Sequence, residues 1–240
     1  MEISGSVALV TGANRGLGAE FVKALLAAGA AKVYAASRAG ADPNLPGVVP
    51  VKLDVTDTAS VAALAEELRD VSIVVNNAGT LAATQLTGTD LESTLGAVRE
   101  NVETNTLAPL ALTQAFAPVL AANGGGAVVN VLSVLSWFVL SPEGAGYSAS
   151  KAAAWQLTNA QRILLRGNGT QVLAVHVGFM DTDMARNAPG PKLPPAQAAE
   201  LVLAALRDGR EEVLLDDVSR HVQAGLAHGV AGLYPSTGAA

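Results

Sequence analysis

The chain has 240 residues, a net charge of −6 at pH 7, half of its residues hydrophobic, and no cysteine. That length suits one α/β domain with a large core, 1–240, and the scattered Lys and Arg residues form no basic patch, so nucleic acid is not an expected partner. The lack of cysteine excludes disulfides and thiolate metal sites and fits a cytoplasmic protein; His176, His221 and His228 lack metal-ligand spacing, so no metal is expected.

Met1-Glu2-Ile3 lacks the basic start of a signal peptide. The first predicted strand, Val7–Val10, is short, apolar and partly β-branched, as in a buried parallel strand. Thr11-Gly12-Ala13-Asn14-Arg15-Gly16-Leu17-Gly18 follows, then a helix with Leu17, Phe21, Leu25 and Ala28 on one face, closing at Gly29. The glycines therefore occupy a strand-to-helix turn. There the free N–H groups and positive dipole of the helix suit a phosphate, and glycine lets the backbone approach it closely.

A second strand spans Lys32–Ala36 and a third Val48–Leu53, ending at Asp54-Val55. Asp57 is placed to cap a helix running to about Arg69, with Val61, Leu64, Ala65 and Leu68 inward. The fourth strand, Ser72–Val75, ends in Asn76-Asn77-Ala78-Gly79, and a helical region runs from Asp90 to Leu120. Ala127–Leu132 is a fifth strand, Tyr147–Arg166 a helix and Val172–Val177 a sixth strand. A proline-rich loop at 189–195, a helix at 195–207, a strand at Val213–Leu215 and a helix from about Asp217 complete the pattern, and 235–240 reads as a frayed tail. Residues 104–142 carry no charge, but Asn105, Pro109, Pro118, the run Asn123-Gly124-Gly125-Gly126 and Asn130 interrupt the stretch, so no membrane span is expected.

Strands alternating with helices specify a doubly wound, Rossmann-like, mostly parallel sheet with helices on both faces. Ligands in such folds bind beyond the carboxyl ends of the strands, where the strand order reverses. Thr11, Ser37, Asp54, Asn77 and Ser133 all fall at those ends.

Tyr147 and Lys151 stand four apart on a predicted helix and so share a face. A free phenol has a pKa of about 10. An ammonium about 4–5 Å away favours the phenolate by roughly 3–4 kcal/mol at an effective dielectric near 20. That is roughly two to three pKa units before desolvation subtracts some. The pair is suited to general acid/base work.

With Thr11–Gly18 as TGxxxGxG, Asn76-Asn77-Ala78-Gly79, Asn105, Ser133 and Tyr147–Lys151 as YxxxK in this order, the chain resembles the short-chain dehydrogenase/reductase family over nearly its whole length. The resemblance implies that Tyr147 donates a proton to a substrate carbonyl while a nicotinamide donates hydride. It implies that Lys151 also binds the nicotinamide ribose, that Ser133 bonds the carbonyl oxygen, and that Asn105 holds a water in a proton relay. The chain departs from the family in two places. The family serine usually stands thirteen positions before the tyrosine, which here is Val134; Ser133 keeps the strand-end context and Ser136 is its rival. The family's Pro-Gly after the sixth strand is Val177-Gly178 here, followed by Phe179, Met180 and Thr182, the last matching a threonine that contacts the cofactor carboxamide. Met184 also matches the family pattern.

The cofactor set implied by position is Gly12, Asn14, Arg15, Gly16, Leu17, Gly18, Ser37, Arg38, Asp54, Val55, Asn77, Ala78, Gly79, Tyr147, Lys151, Gly178, Met180 and Thr182. Asp54 is expected to accept from the adenine amino group. NAD sites place a carboxylate about 20 residues after the glycines. Val33–Ala41 holds no acid, and Ser37-Arg38 with Arg15 suits a 2′-phosphate instead, so NADP(H) is expected over NADH. Trp137, Phe138, Val134 and Phe179 are candidates to line the substrate pocket, although the aromatic run also fits packing under a loop. Residues 183–195 form a short candidate lid.

The expected activity is an NADP(H)-dependent oxidoreductase acting on a ketone, aldehyde or secondary alcohol, assembled as a homodimer or homotetramer. A non-catalytic NADP-sensing regulator is the alternative in another class; it would be expected to lose Tyr147 or Lys151. A nucleotide-sugar epimerase or dehydratase would be longer and carry TGxxGxxG.

Overall fold

A computed structural model describes residues 1–41, 43–87 and 90–234; the tail expected to fray, 235–240, lies outside the described residues. Seven parallel strands form one sheet: β1 (Val7–Thr11), β2 (Lys32–Ser37), β3 (Val48–Lys52), β4 (Ile73–Asn76), β5 (Gly126–Val131), β6 (Thr170–His176) and β7 (Glu212–Leu214). Their order is β3-β2-β1-β4-β5-β6-β7. The order reverses between β1 and β4, so a crevice opens at the carboxyl ends of these two strands.

Helices cover both faces. Leu17, Phe21, Val22 and Leu25 of α1 (Gly16–Ala27) pack with Val202, Leu203 and Leu206 of α6 (Pro195–Arg207) on one side. On the other side, α2 (Thr58–Glu67) and α4 (Ala108–Ala122) bury Val61, Leu64, Leu112, Phe116 and Leu120. The Asp57 side chain caps α2, accepting from the N–H groups of Ala59 and Ser60. The central strands β1, β4, β5 and β6 read as apolar runs because both faces are covered there.

The helical region expected over 90–120 is divided. α3 (Leu91–Val102) passes through a wide π turn at Glu103–Leu107 before α4 begins. Pro109 has no N–H, so the α-helical bond from residue 109 to the Asn105 carbonyl cannot form, and the chain widens there instead. The Ala108 N–H accordingly reaches back five residues to the Glu103 carbonyl. Pro118 sits inside α4 without ending it. The predicted last strand begins one residue earlier than expected, at Glu212.

Between β4, β5 and the helices behind them lies a buried amide network. Asn76 Nδ2 donates to Asn130 Oδ1 (2.8 Å) and to Thr113 Oγ1 (3.2 Å). Asn130 Nδ2 donates to Thr158 Oγ1 (2.9 Å) and Gln161 Oε1 (2.8 Å). Thr158 and Gln161 belong to α5 (Ala145–Leu165), which also carries Tyr147 and Lys151. The network thus fixes α5 against the sheet below the site by directional bonds as well as by apolar packing.

Gly18 lies where α1 meets the turn after β1. A Cβ there would overlap the Gly12 carbonyl oxygen and crowd Asn77 Nδ2. Gly18→Ala is therefore expected to lower stability by about 1–3 kcal/mol, the range for overpacking. Urea unfolding checks this, and an unchanged midpoint would show that the turn can spread.

Candidate active site

The site begins at the switch point. Thr11 Oγ1 donates to the Val75 carbonyl (3.1 Å) and accepts from the N–H groups of Asn77 (3.0 Å) and Ala78 (3.1 Å). Asn77 Nδ2 returns a bond to the Thr11 carbonyl at 2.8 Å. The glycine turn and the Asn77-Ala78-Gly79 segment are thus fastened to each other. Gly12 sits at φ +66°, in the left-handed region. Arg15 makes no side-chain cap on α1, and no acidic residue stands in the first turn of that helix. With glycine at 12, 16 and 18 and no acidic residue in its first turn, the helix start is a cradle that lets a ligand approach the backbone closely and fits a dinucleotide pyrophosphate. Leu17 is buried beneath it and Asn14 is exposed above it.

Thr182 lies over this cradle: a Cβ added at Gly16 would touch its methyl at 3.4 Å. The segment after Thr182 is fastened at its base, where Met180 pairs with Leu193, and Leu193 N–H donates to the Phe179 carbonyl (2.9 Å). Gly178 N–H donates to Asp216 Oδ2 at 2.6 Å. Asp216 also caps α7 (Asp217–Gly225) through Ser219 N–H. It was not among the expected residues; an Asp directly before a helix start was the available signal.

On the other side of the crevice stand Ser133, Tyr147 and Lys151. Ser133 Oγ accepts from Leu135 N–H at 3.1 Å and faces the Tyr147 phenol. Ser136 is also buried, but its hydroxyl meets no partner among the described residues. Lys151 Nζ donates to the Val131 carbonyl (2.7 Å) and stands 5.7 Å from the centroid of the Tyr147 ring. Burial pushes the Tyr147 phenol up to about 12, partly offset by the Ser133 hydroxyl. It lowers Lys151 to about 8. The expectation of a phenol lowered by the ammonium is therefore corrected: desolvation wins, because the ammonium is turned to a carbonyl and both groups are out of water.

Asn105 sits in the π turn with its side chain fully engaged. Oδ1 accepts from Thr80 N–H (2.9 Å), and Nδ2 donates to the Thr80 carbonyl (2.9 Å) and Ser150 Oγ (3.0 Å). Ser150 in turn donates to the Tyr147 carbonyl at 2.7 Å. Both amide protons are spent, so a water held by Asn105 would have to donate, to the second lone pair of Oδ1 or to the backbone carbonyl.

Other expected positions are distributed differently. Trp137 is turned into the protein, stacked on His176 at 3.9 Å with Trp155 at its edge. It packs under the loop, as the other reading of this aromatic run had it, because an indole gains more from buried ring contacts than from an open mouth. Phe138 lies 6.5 Å from the Tyr234 ring, and Val139 N–H donates to the Tyr234 hydroxyl at 2.7 Å. Val134 is buried, its N–H on the Val177 carbonyl. Arg15 reaches Asp183 at 3.1 Å. Arg38 is exposed, and its charge helps hold the Asp54 carboxyl below its ordinary range, after the two Thr56 bonds that dominate. Those bonds both fall on Oδ1. Ser37 Oγ is used by Gly40 N–H, and Val55 packs on the α2 side.

The family model described as short chain dehydrogenase matches residues 6–192. The chain belongs to the short-chain dehydrogenase family. Its fold and motif order are those of an oxidoreductase of this family. The crystal structure of a short chain dehydrogenase from Burkholderia cenocepacia J2315 in complex with NADP is 42% identical and covers 95% of each chain, with a TM-score of 0.86. Galactitol 2-dehydrogenase (L-tagatose-forming) of Cereibacter sphaeroides is 33% identical over 76% of this chain and 74% of its own. The 3-beta-hydroxysteroid dehydrogenase of Comamonas testosteroni is 32% identical over 84% of this chain and 80% of its own. Among the described residues, no helix is long and apolar enough to cross a membrane.

The buried lysine makes stability depend on pH. Between about pH 8 and 10.5 the unfolded chain still holds a proton that folded Lys151 has released, so stability rises with pH through that window. Lys151→Met is expected to raise the unfolding midpoint of the cofactor-free protein at pH 7 by several degrees, on the order of 1–3 kcal/mol, and to flatten this dependence. Thermal unfolding at pH 7 and pH 10 measures both; a lower midpoint at pH 7 would contradict a destabilising cation.

Proposed function

We propose that this protein is an NADP(H)-dependent carbonyl reductase or alcohol dehydrogenase acting on a ketone, aldehyde or secondary alcohol. The observation that carries the reading is the Ser133 hydroxyl facing the Tyr147 phenol, with Lys151 one turn along α5, beside a glycine cradle suited to a dinucleotide. The family relationship to galactitol and hydroxysteroid dehydrogenases supports the reaction class, and the NADP-bound relative supports the cofactor.

In this reading a bound nicotinamide exchanges hydride with the substrate carbon. Tyr147 donates its phenolic proton to the carbonyl oxygen, or takes it back in the oxidative direction. Ser133 donates a second hydrogen bond to the same oxygen and stabilises the charge that develops there. Lys151 is charged below about pH 8 and favours the phenolate as it forms. Lys151 would also hold the cofactor ribose, while Gly12, Gly16, Gly18, Asn77, Ala78 and Gly79 leave room for its backbone. Thr182 and Gly178 would meet the nicotinamide end, and Ser37, Arg38 and Arg15 the 2′-phosphate. A homodimer or homotetramer belongs to the same reading, supported by Leu107, Ile163 and Leu164 standing exposed on the segments that carry Asn105 and Tyr147.

Tyr147→Phe keeps the ring and removes the proton. It is expected to lower kcat by at least about a hundredfold on any accepted ketone, with NADPH affinity unchanged within about twofold. Stopped-flow turnover and NADPH titration test this together, and near-normal turnover removes Tyr147 from the mechanism.

NADPH is expected to bind at least about tenfold more tightly than NADH, because charge-assisted bonds to the 2′-phosphate add about 1.4 kcal/mol per factor of ten. Arg38→Asp should abolish that preference. Equal dissociation constants for the two cofactors in the unaltered protein would refute the NADP assignment.

A further inference from the structure

Ser133 owes its position to its backbone. β5 ends at Val131, yet parallel pairing with β6 continues: Leu132 N–H donates to the Val175 carbonyl and Val134 N–H to the Val177 carbonyl, each at 2.9 Å. Between these bonds the Ser133 carbonyl meets two donors. One is Ser136 N–H at 3.0 Å and the other is the ring of His176, with Nδ1 at 3.1 Å. A carbonyl oxygen only accepts, so Nδ1 carries the ring proton.

His176 is fully buried. Its ring is fixed from every side. The Trp137 indole lies flat against it, 3.9 Å between centroids and 17° from parallel, and Trp155 meets it edge-on at 6.5 Å. Nε2 stands 3.3 Å from Glu212 Oε1, out of line for a hydrogen bond. Burying an imidazole at the end of a strand is unfavourable unless its polar atoms are answered, and an aliphatic residue would fill the space more cheaply. The ring's one aligned bond goes to the residue whose hydroxyl faces Tyr147.

We infer that His176 is a positioning residue: its Nδ1–H holds the Ser133 carbonyl and so aims the Ser133 hydroxyl at the reacting oxygen, with Trp137 and Trp155 fixing the ring. The inference rests on the assignment of Ser133 and Tyr147 made above. His176 acts through Ser133 alone. Losing Nδ1–H leaves the carbonyl to Ser136 N–H alone, so the peptide at residue 133 can tilt, and a displacement of about 1 Å at a reacting group costs up to about a hundredfold in rate.

The test is a double-mutant cycle on an accepted ketone with NADPH, comparing the unaltered protein, Ser133→Ala, His176→Phe and the double variant. Phenylalanine keeps the stack on Trp137 and removes the donor. His176→Phe is expected to lower kcat by about tenfold, with KM and NADPH affinity within about twofold of normal, and the double variant to be no slower than Ser133→Ala. A general loss of structure would slow the Ser133→Ala background by the same factor. Trp137→Phe keeps an aromatic face on the ring but shrinks the stack, leaves His176 in its site, and is expected to lower kcat about two- to threefold with the same non-additivity. It carries the cycle if His176→Phe does not fold. In the unaltered protein, 15N spectra of the ring are expected to show Nδ1 protonated. An unprotonated Nδ1, normal kcat in folded His176→Phe or in Trp137→Phe, or an additive loss in the double variant overturns the inference. Normal kcat in Ser133→Ala overturns the assignment of Ser133 itself.

Discussion

The hydroxyl of Thr11 is the knot on which the site depends. One side chain donates to the β4 strand and accepts from two successive N–H groups of the segment that follows it. It does so where neighbouring strands part company and the sheet offers no further ladder bonds. Without it, the glycine turn and the Asn77 segment would each be a loop ordered only by its own chain, and ordering such backbone costs about 1–2 kcal/mol per residue. Fastened together, they become two walls of one cleft. Gly18 then lets α1 close against the same corner, and Thr182 comes over the top from β6.

Across the cleft the fold works against its own stability. Tyr147 and Lys151 are both removed from water, and burial opposes the charged form of each. The ammonium keeps one strong bond, to the Val131 carbonyl. What holds α5 in place despite this is hydrogen bonding by uncharged groups: the Asn130 amide on Thr158 and Gln161, two and three turns further along the helix, and Thr106 Oγ1 on the Ser150 carbonyl beside the pair.

Short-range patterns were readable from the chain because they are set by local chemistry. TGxxxGxG between an apolar strand and an amphipathic helix, and a tyrosine four residues before a lysine, require only backbone periodicity to place them. What was not readable depends on partners far along the chain. Asp183 meets Arg15 across 168 positions, and nothing in the glycine turn foretells it. Trp137 turned inward because His176 offered a ring face. The direction of the Tyr147 shift depends on burial, which no spacing reveals. The π turn lies between these cases: Pro109 was in plain view, but its effect falls on the carbonyl of residue 105, four positions back.

The bridge between Met180 and Leu193 has an evolutionary consequence. It fixes the two ends of the loop 181–192 at ladder distance, on bonds that do not involve the loop's own interior. Closing a loop across a fixed gap becomes only slightly harder as the loop grows, by about 0.6 kcal/mol for each doubling of its length. Insertions and deletions at this place can therefore accumulate in a lineage with little loss of fold stability. The sheet, the cradle and the Tyr147 helix stay as they are, while the roof over them is free to diversify.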